Sequence, residues 1–138
     1  MERAINILMV DDETDFLEPV AFWLRSKGYA VTTVTNGEEA VALVKRVPPD
    51  VVFLDINMPG IDGIETLRRI RALNRDLPVV MVTAAYQDEK NISQASSLGI
   101  AGFFPKNSSL SELARVIETC LRVHVKLKSP PPSPPPSP

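Results

Sequence analysis

The chain has 138 residues, 44% of them hydrophobic and 23% charged, with a formal net charge of −2. This length suits one packed domain, which we expect over residues 1–124, followed by a Pro/Ser-rich tail over 125–138. The slightly negative net charge gives no general attraction for nucleic acid, so we expect none to bind. No stretch approaches the roughly 20 apolar residues of a membrane span, the N-terminus lacks a signal-peptide centre, and one cysteine cannot form an internal disulfide, so we expect a cytoplasmic protein.

Short apolar runs alternate along the chain with segments of helical periodicity. The runs are rich in β-branched residues, as is typical of strands buried on both faces. The predicted strands are 5–10, Ala30–Val34, 51–54, 79–82 and 101–104. The predicted helices, each following one strand, are 15–27, 37–47, Gly63–Leu73, 88–98 and 110–121.

Local signals mark the ends of these helices. The first helix ends at Gly28, and Pro19 inside it removes one backbone donor, which predicts a bend or an irregular first turn. Its predicted apolar face is Phe16, Val20, Trp23 and Leu24. Three other helices begin with a polar residue followed three positions later by Glu, the spacing of a capping box. These pairs are Asn36 with Glu39, Asp62 with Glu65, and Ser109 with Glu112.

The alternation of strand and helix predicts an α/β fold, a five-stranded parallel sheet in the order 2-1-3-4-5 with helices on both faces. In such sheets, ligands bind beyond the carboxyl ends of the strands, where the strand order reverses. Five residues with reactive side chains follow or end these strands: Asp11, Asp12, Asp55, Thr83 and Lys106. We therefore expect them to meet in one pocket.

Three carboxylates in one pocket need a cation or bound protons. Two like charges about 4 Å apart cost on the order of 4 kcal/mol at an effective dielectric near 20. An all-oxygen set with few carboxylates suits Mg²⁺, for which Mn²⁺ can substitute. The ammonium of Lys106 and the hydroxyl of Thr83 both suit a phosphoryl group.

These residues lie in a familiar pattern: VDDE at 10–13, FLDINMPGIDG at 53–63, TA at 83–84, and Lys106 after the fifth strand. The chain resembles the CheY-like receiver domain of the response regulators of two-component signalling. The resemblance covers residues 5 to about 121, which is nearly everything except the tail. It implies the flavodoxin-like sheet order already expected from the alternation of elements.

The resemblance also implies roles for the pocket residues. Asp55 would accept a phosphoryl group from a phosphohistidine of a sensor histidine kinase or a phosphotransfer protein, so the domain would catalyse its own phosphorylation and dephosphorylation without being an enzyme in the ordinary sense. Mg²⁺ would be held by Asp55, Asp12 and the backbone carbonyl of Asn57, with Asp11 acting through a water. Lys106 would pair with a phosphoryl oxygen.

Switching is the further implication of the resemblance. Thr83 would move toward the phosphoryl group, and Phe103 would take the place of the family's mobile Tyr. The face formed by the fourth helix, fifth strand and fifth helix would then bind a downstream protein, an output domain outside this chain or a second copy of the domain.

Three positions depart from the common family pattern. Phe103 has no hydroxyl to bias its two orientations. Pro105 precedes Lys106 where many receivers have a proline after the lysine, which leaves the cis geometry of that loop open. Ala85, two residues past Thr83, offers no group to orient a water molecule.

Other functions share part of this pattern. A receiver-like scaffold that is not phosphorylated would be expected to lack pocket residues, and here all five are present. A haloacid-dehalogenase-type phosphatase normally has a second acid two residues after the nucleophile, where this chain has Asn57. A flavodoxin-like cofactor domain needs a phosphate-binding loop after the first strand, where this chain has an acidic segment.

The tail, SPPPSPPPSP from Ser129, predicts extended polyproline II that acts as a docking ligand or a spacer.

Overall fold

Strands and helices alternate along the chain in the computed structural model, which describes residues 4–84 and 89–128, with 123–128 described by their backbone alone. The strands are β1 (Asn6–Val10), β2 (Ala30–Val34), β3 (Val51–Asp55), β4 (Val79–Thr83) and β5 (Gly102–Pro105). The helices are α1 (Thr14–Ser26), α2 (Gly37–Arg46), α3 (Gly63–Leu73), α4 (Glu89–Leu98) and α5 (Leu110–Lys128).

All five strands are parallel and form one sheet in the order β2-β1-β3-β4-β5. The predicted fold class and strand order are confirmed. The carboxyl ends of the three inner strands are in register: Val10 lies opposite Leu54, and Asp55 lies opposite Val82. Residues that directly follow β1 and β3 therefore emerge at the same edge of the sheet, which positions the predicted pocket.

Alternate side chains of the strands pack into two apolar layers. One layer joins the sheet to α2, α3 and α4, and the other joins it to α1 and α5. Because β1 has a buried residue at every position from Ile7 to Val10, it contributes to both layers. Each large aliphatic side chain buried in this way stabilises the fold by about 1.5–3 kcal/mol.

The three predicted N-caps are present. The side chains of Asn36, Asp62 and Ser109 each accept a hydrogen bond from the backbone N–H of the residue three positions later, at 2.8, 2.8 and 3.1 Å. Such caps contribute on the order of 1 kcal/mol each. The carboxylate of Glu65 pairs with Arg68 and Arg69 on the next turn instead of returning to its cap.

Two helix predictions differ from the structure in detail. Val20 and Leu24 of the predicted apolar face of α1 are buried, but Leu17 and Ala21 complete that face, whereas Phe16 and Trp23 are only half-buried. The helix is continuous through Pro19, and its first turn is tightened because the N–H of Phe16 bonds to Glu13 O at 3.1 Å, which agrees with the predicted irregular first turn. Helix α5 continues past the predicted end at residue 121 to Lys128.

Several predictions fall outside the described residues. The expected first residue of α4, Asp88, lies there, as do Ala85 and the Pro-rich segment from Ser129. Within the described residues, no helix combines the length and apolar character that crossing a membrane would need.

Candidate functional site

Three carboxylates converge at the carboxyl edge of the sheet. Asp11 and Asp12 directly follow β1, and Asp55 ends β3, so the pairing of these two strands brings them together. One oxygen from each lies within 4.8 Å of the others. Asp11 and Asp55 are each 2% exposed, whereas Asp12 is exposed to solvent. The predicted acidic cluster is therefore assembled, with one carboxylate open to an incoming group.

Lys106 reaches into this cluster from the end of β5. Its Nζ lies 3.0 Å from Asp11 Oδ2 and 3.4 Å from Asp55 Oδ2. It also donates a hydrogen bond to Glu13 Oε1. The lysine is positioned by its own backbone, because its N–H donates to Thr83 O at 2.7 Å. A fixed ammonium thus stands beside the two buried acids.

Glu13 was not assigned a role by sequence reasoning. It follows the acidic pair directly, and its backbone N–H donates to Asp11 Oδ1 at 2.9 Å. Its exposed side chain bridges from the start of α1 to Lys106. A Glu one residue past two pocket acids was the available signal, but an exposed long side chain has no single direction that a sequence could predict.

Asp11 Oδ2 is the observation that tests whether a metal fits here. This oxygen is enclosed and accepts no hydrogen bond from the described residues, although Lys106 lies within ion-pair distance of it. A buried carboxylate oxygen without a hydrogen bond is costly. The donor set around it consists of hard oxygen ligands, so the residues fit a small divalent cation such as Mg²⁺.

The charges in this pocket shift the acidity of its groups. Burial and, to a smaller extent, the neighbouring charge of Asp11 raise the pKa of Asp55, Lys106 opposes both, and the net result is a pKa of about 7. Burial acts to lower the pKa of Lys106, but its hydrogen bonds to Glu13 and Asp11 outweigh that effect and leave the pKa raised. Lys106 is therefore always charged, while Asp55 titrates near neutral pH when no metal balances it.

Lys106→Met is expected to destabilise the metal-free protein by about 2–3 kcal/mol, because it leaves Asp11 and Asp55 buried without their counter-ion. Added Mg²⁺ should recover part of this loss. Urea unfolding with chelator measures the loss of stability, and urea unfolding with Mg²⁺ measures how much of it is recovered. The matched control is Lys45→Met, at an exposed position of α2. Equal stability of the two variants would contradict the proposed role of Lys106 as the pocket's counter-ion.

The comparisons with known proteins agree with this geometry. Residues 7–118 match the family described as the response regulator receiver domain. The chain belongs to this family. It is 34% identical over 120 residues to the probable transcriptional regulatory protein TcrX of Mycobacterium tuberculosis, a match that covers 87% of this chain and 51% of TcrX. It is 32% identical over 121 residues to the transcriptional regulatory protein BaeR of Escherichia coli, covering 88% and 50%.

A CheY-like receiver domain protein from Methanospirillum hungatei has the same fold, with a TM-score of 0.87 and 25% identity over 91% of this chain and 99% of that one. The chain spans about half the length of the curated relatives that it matches. Response regulators are signalling proteins that work with histidine kinases and output domains, and receiver domains generally bind Mg²⁺ at an acidic pocket.

The remaining predicted residues of this receiver domain lie on β4 and β5 and directly after β3. Asn57 is exposed, and its N–H donates to Asp55 Oδ1 at 3.2 Å. Thr83 ends β4 and is 7% exposed. Phe103 is half-buried on β5 opposite Met81, against the layer of α2, α3 and α4. The described residues contain no cis peptide bond, so the peptides on both sides of Lys106 are trans.

Proposed function

We propose that this receiver domain accepts a phosphoryl group on Asp55 from a phosphohistidine of a sensor histidine kinase or a phosphotransfer protein. The observation that carries the proposal is the placement of Asp55: a buried carboxylate at a strand end, with an ammonium 3.4 Å from its Oδ2 and two further acids beside it. A nucleophile, a cation site and a fixed positive charge are the groups that phosphoryl transfer needs.

In the proposed step, an oxygen of Asp55 forms a bond to phosphorus while the phosphorus–nitrogen bond of the phosphohistidine breaks. The imidazole leaves with the electron pair of that bond. The product on Asp55 is an acyl phosphate. Because the attacking carboxylate must be ionised, the charge of Lys106, which lowers the pKa of Asp55, favours the reaction.

Asp12, Asp55 and the backbone carbonyl of Asn57 would hold Mg²⁺, or Mn²⁺ in its place, with Asp11 acting through a water. When bound, this ion would offset the negative charge that accumulates as the phosphoryl group arrives. The exposure of Asp12 supports direct ligation by this residue, because an exposed carboxylate can exchange ligands with solvent.

The other pocket residues would respond to the phosphoryl group. Lys106 would exchange its contacts with carboxylates for one with a phosphoryl oxygen, and Thr83 would hydrogen-bond another. Since the N–H of Lys106 is bonded to Thr83 O, the two residues would move as linked parts. With Phe103 changing orientation, the face of α4, β5 and α5 would shift between two populated states.

The partner of that face would be a downstream protein, an output domain or a second copy of this domain. The receiver domain itself would be located in the cytoplasm.

A receiver-like scaffold is less consistent with the pocket, because Asp55, Thr83 and Lys106 are all present and placed together. A haloacid-dehalogenase-type phosphatase would need a second acid two residues after Asp55, where Asn57 stands.

The test of this function is phosphorylation by a small acyl-phosphate donor with Mg²⁺, read as intact mass. Wild type is expected to gain one phosphoryl group and Asp55→Asn none. Asp76→Asn, at an exposed position beyond the opposite edge of the sheet, is the matched control and should behave as wild type. If wild type gained no phosphoryl group at any concentration of donor and metal, the receiver-like scaffold that is not phosphorylated would be favoured.

Asp12→Asn is expected to weaken Mg²⁺ binding by about tenfold or more, because it removes one charged ligand from the exposed side of the pocket. Its metal-free stability should stay close to that of wild type, since Asp12 is exposed. Titration of Mg²⁺ against the phosphorylation rate measures the affinity. Asp15→Asn is the control on the first turn of α1, and an equal effect of both substitutions would argue against ligation by Asp12.

A further inference from the structure

An aromatic groove lies between the end of α1 and the first half of α5. Its volume is about 490 Å³. The lining residues are Trp23, Lys27, Tyr29, Ser111, Ala114, Arg115 and Glu118. Both aromatic residues are half-buried, so each anchors in the core and also faces the groove. Nothing in the proposed phosphoryl chemistry uses this groove.

The chemistry of the groove suits a proline-rich segment. Polyproline II helices dock into grooves lined by aromatic side chains, and their carbonyls are free to accept hydrogen bonds because the helix has none of its own. Here Trp23 and Tyr29 supply the rings, while Lys27 and Arg115 supply donors. Lys27 Nζ lies 5.4 Å from the centroid of the Trp23 ring, and Arg115 Nη1 lies at a long ion-pair distance of 3.8 Å from Glu112 Oε2.

The chain carries such a segment at a suitable place. Residues 129–138 read SPPPSPPPSP, which has no charged side chain and seven prolines. Helix α5 ends at Lys128, and its residue Cys120 already lies beside Leu77 and Pro78 at the amino edge of the sheet, the edge at which Lys27 and Tyr29 also lie. The ten residues from Glu118 to Lys128 rise about 15 Å. Ten residues of polyproline II span about 31 Å, which is enough to turn and return to the groove.

We propose that the proline-rich segment 129–138 binds in the groove between α1 and α5 of its own chain, against Trp23 and Tyr29. Tethering makes this docking effective even for a weak ligand, because a short connection gives an effective concentration on the order of 1 mM. The segment contributes proline rings and backbone carbonyls, and the groove contributes aromatic faces and cationic donors. The inference is independent of phosphorylation at Asp55.

Trp23 is the single tryptophan of the chain, so its fluorescence reports on the groove directly. Acrylamide quenching of the full chain is compared with a full-length variant in which all seven tail prolines are changed to serine. The quenching constant of the variant is expected to be about twofold higher, as for a segment docked in roughly half of the molecules. Equal quenching constants would overturn the proposal.

Arg115→Ala is the second arm, with Arg122→Ala as the matched control on the same helix outside the groove. Arg115→Ala should raise the quenching constant in the wild-type chain and leave it unchanged when the tail prolines are already serine. Arg122→Ala should have no effect in either chain. An equal effect of Arg115→Ala in both chains would mean that Arg115 shields Trp23 itself, and would contradict docking.

Dilution separates docking within one chain from docking between copies. The difference between wild type and the serine variant should stay constant over about a hundredfold dilution, because an intramolecular equilibrium does not depend on concentration. Free SPPPSPPPSP peptide added to the serine variant should restore the protection of Trp23. A difference that disappears on dilution would overturn docking within one chain.

Discussion

Asp55→Asn is expected to make the metal-free protein more stable than wild type at pH 8, by about 2–4 kcal/mol. Asp55 is 2% exposed, and burial together with the charge of Asp11 raises its pKa from 3.8 to about 7. The folded state therefore binds a proton more tightly than the unfolded state, and ionisation at higher pH costs stability. Replacing the carboxylate with a neutral amide of the same shape removes this cost.

The pH dependence follows from the same shift. Relative to Asp55→Asn, wild type should lose stability as the pH rises from about 4 to about 7, and the difference should be constant above that range. Urea unfolding in chelator across this pH range measures the difference in unfolding free energy between wild type and Asp55→Asn. Asp76→Asn is the exposed control. Mg²⁺ should reduce the difference, because a bound cation balances the ionised Asp55. A variant less stable than wild type at pH 8 would contradict the repulsion inferred here.

Gly63→Ala is expected to destabilise the protein by about 3 kcal/mol or more and to lower phosphorylation of Asp55. A Cβ on Gly63 would lie 2.2 Å from the backbone oxygen of Asp55 and 2.6 Å from Cα of Ile56. The first atom belongs to the last residue of β3, and the second belongs to the residue that follows it. They cannot move easily, since Ile56 N donates to Val82 O and Ile56 O accepts from Gly63 N.

Gly102→Ala is the matched control, because a Cβ on Gly102 would meet no atom within 4 Å and its backbone does not require glycine. Its stability should be close to that of wild type. Urea unfolding and the initial rate of phosphorylation test both variants. If Gly63→Ala unfolded at the same urea concentration as Gly102→Ala, the close approach of α3 to the end of β3 would be contradicted.

The sheet and the meeting of Asp11, Asp12 and Asp55 could be predicted because both depend on local patterns. Buried parallel strands have continuous apolar runs, and their carboxyl ends share one edge, so residues that follow the runs must lie together. The same logic placed Lys106 at this edge. No knowledge of side-chain direction was needed for these predictions.

What the sequence did not predict depends on three-dimensional packing. The inward face of α1 uses Leu17 and Ala21, because a helix that packs closely on a sheet favours residues that fit the available depth over the largest aromatic rings. The contact between Glu13 and Lys106 joins residues far apart in the chain through flexible side chains. The restriction on Gly63 comes from the passing backbone of β3, which the motif alone does not show.

Locating the phosphoryl group is the most direct test of the account. The protein is incubated with Mg²⁺ and a phosphohistidine-bearing donor domain, the acyl phosphate is reduced with borohydride, and peptides are mapped by mass. The account predicts that Asp55 alone is converted, that Asp11 and Asp12 are unmodified, and that chelation of Mg²⁺ prevents the reaction. Modification of another carboxylate, or of Asp55 without any divalent cation, would contradict it.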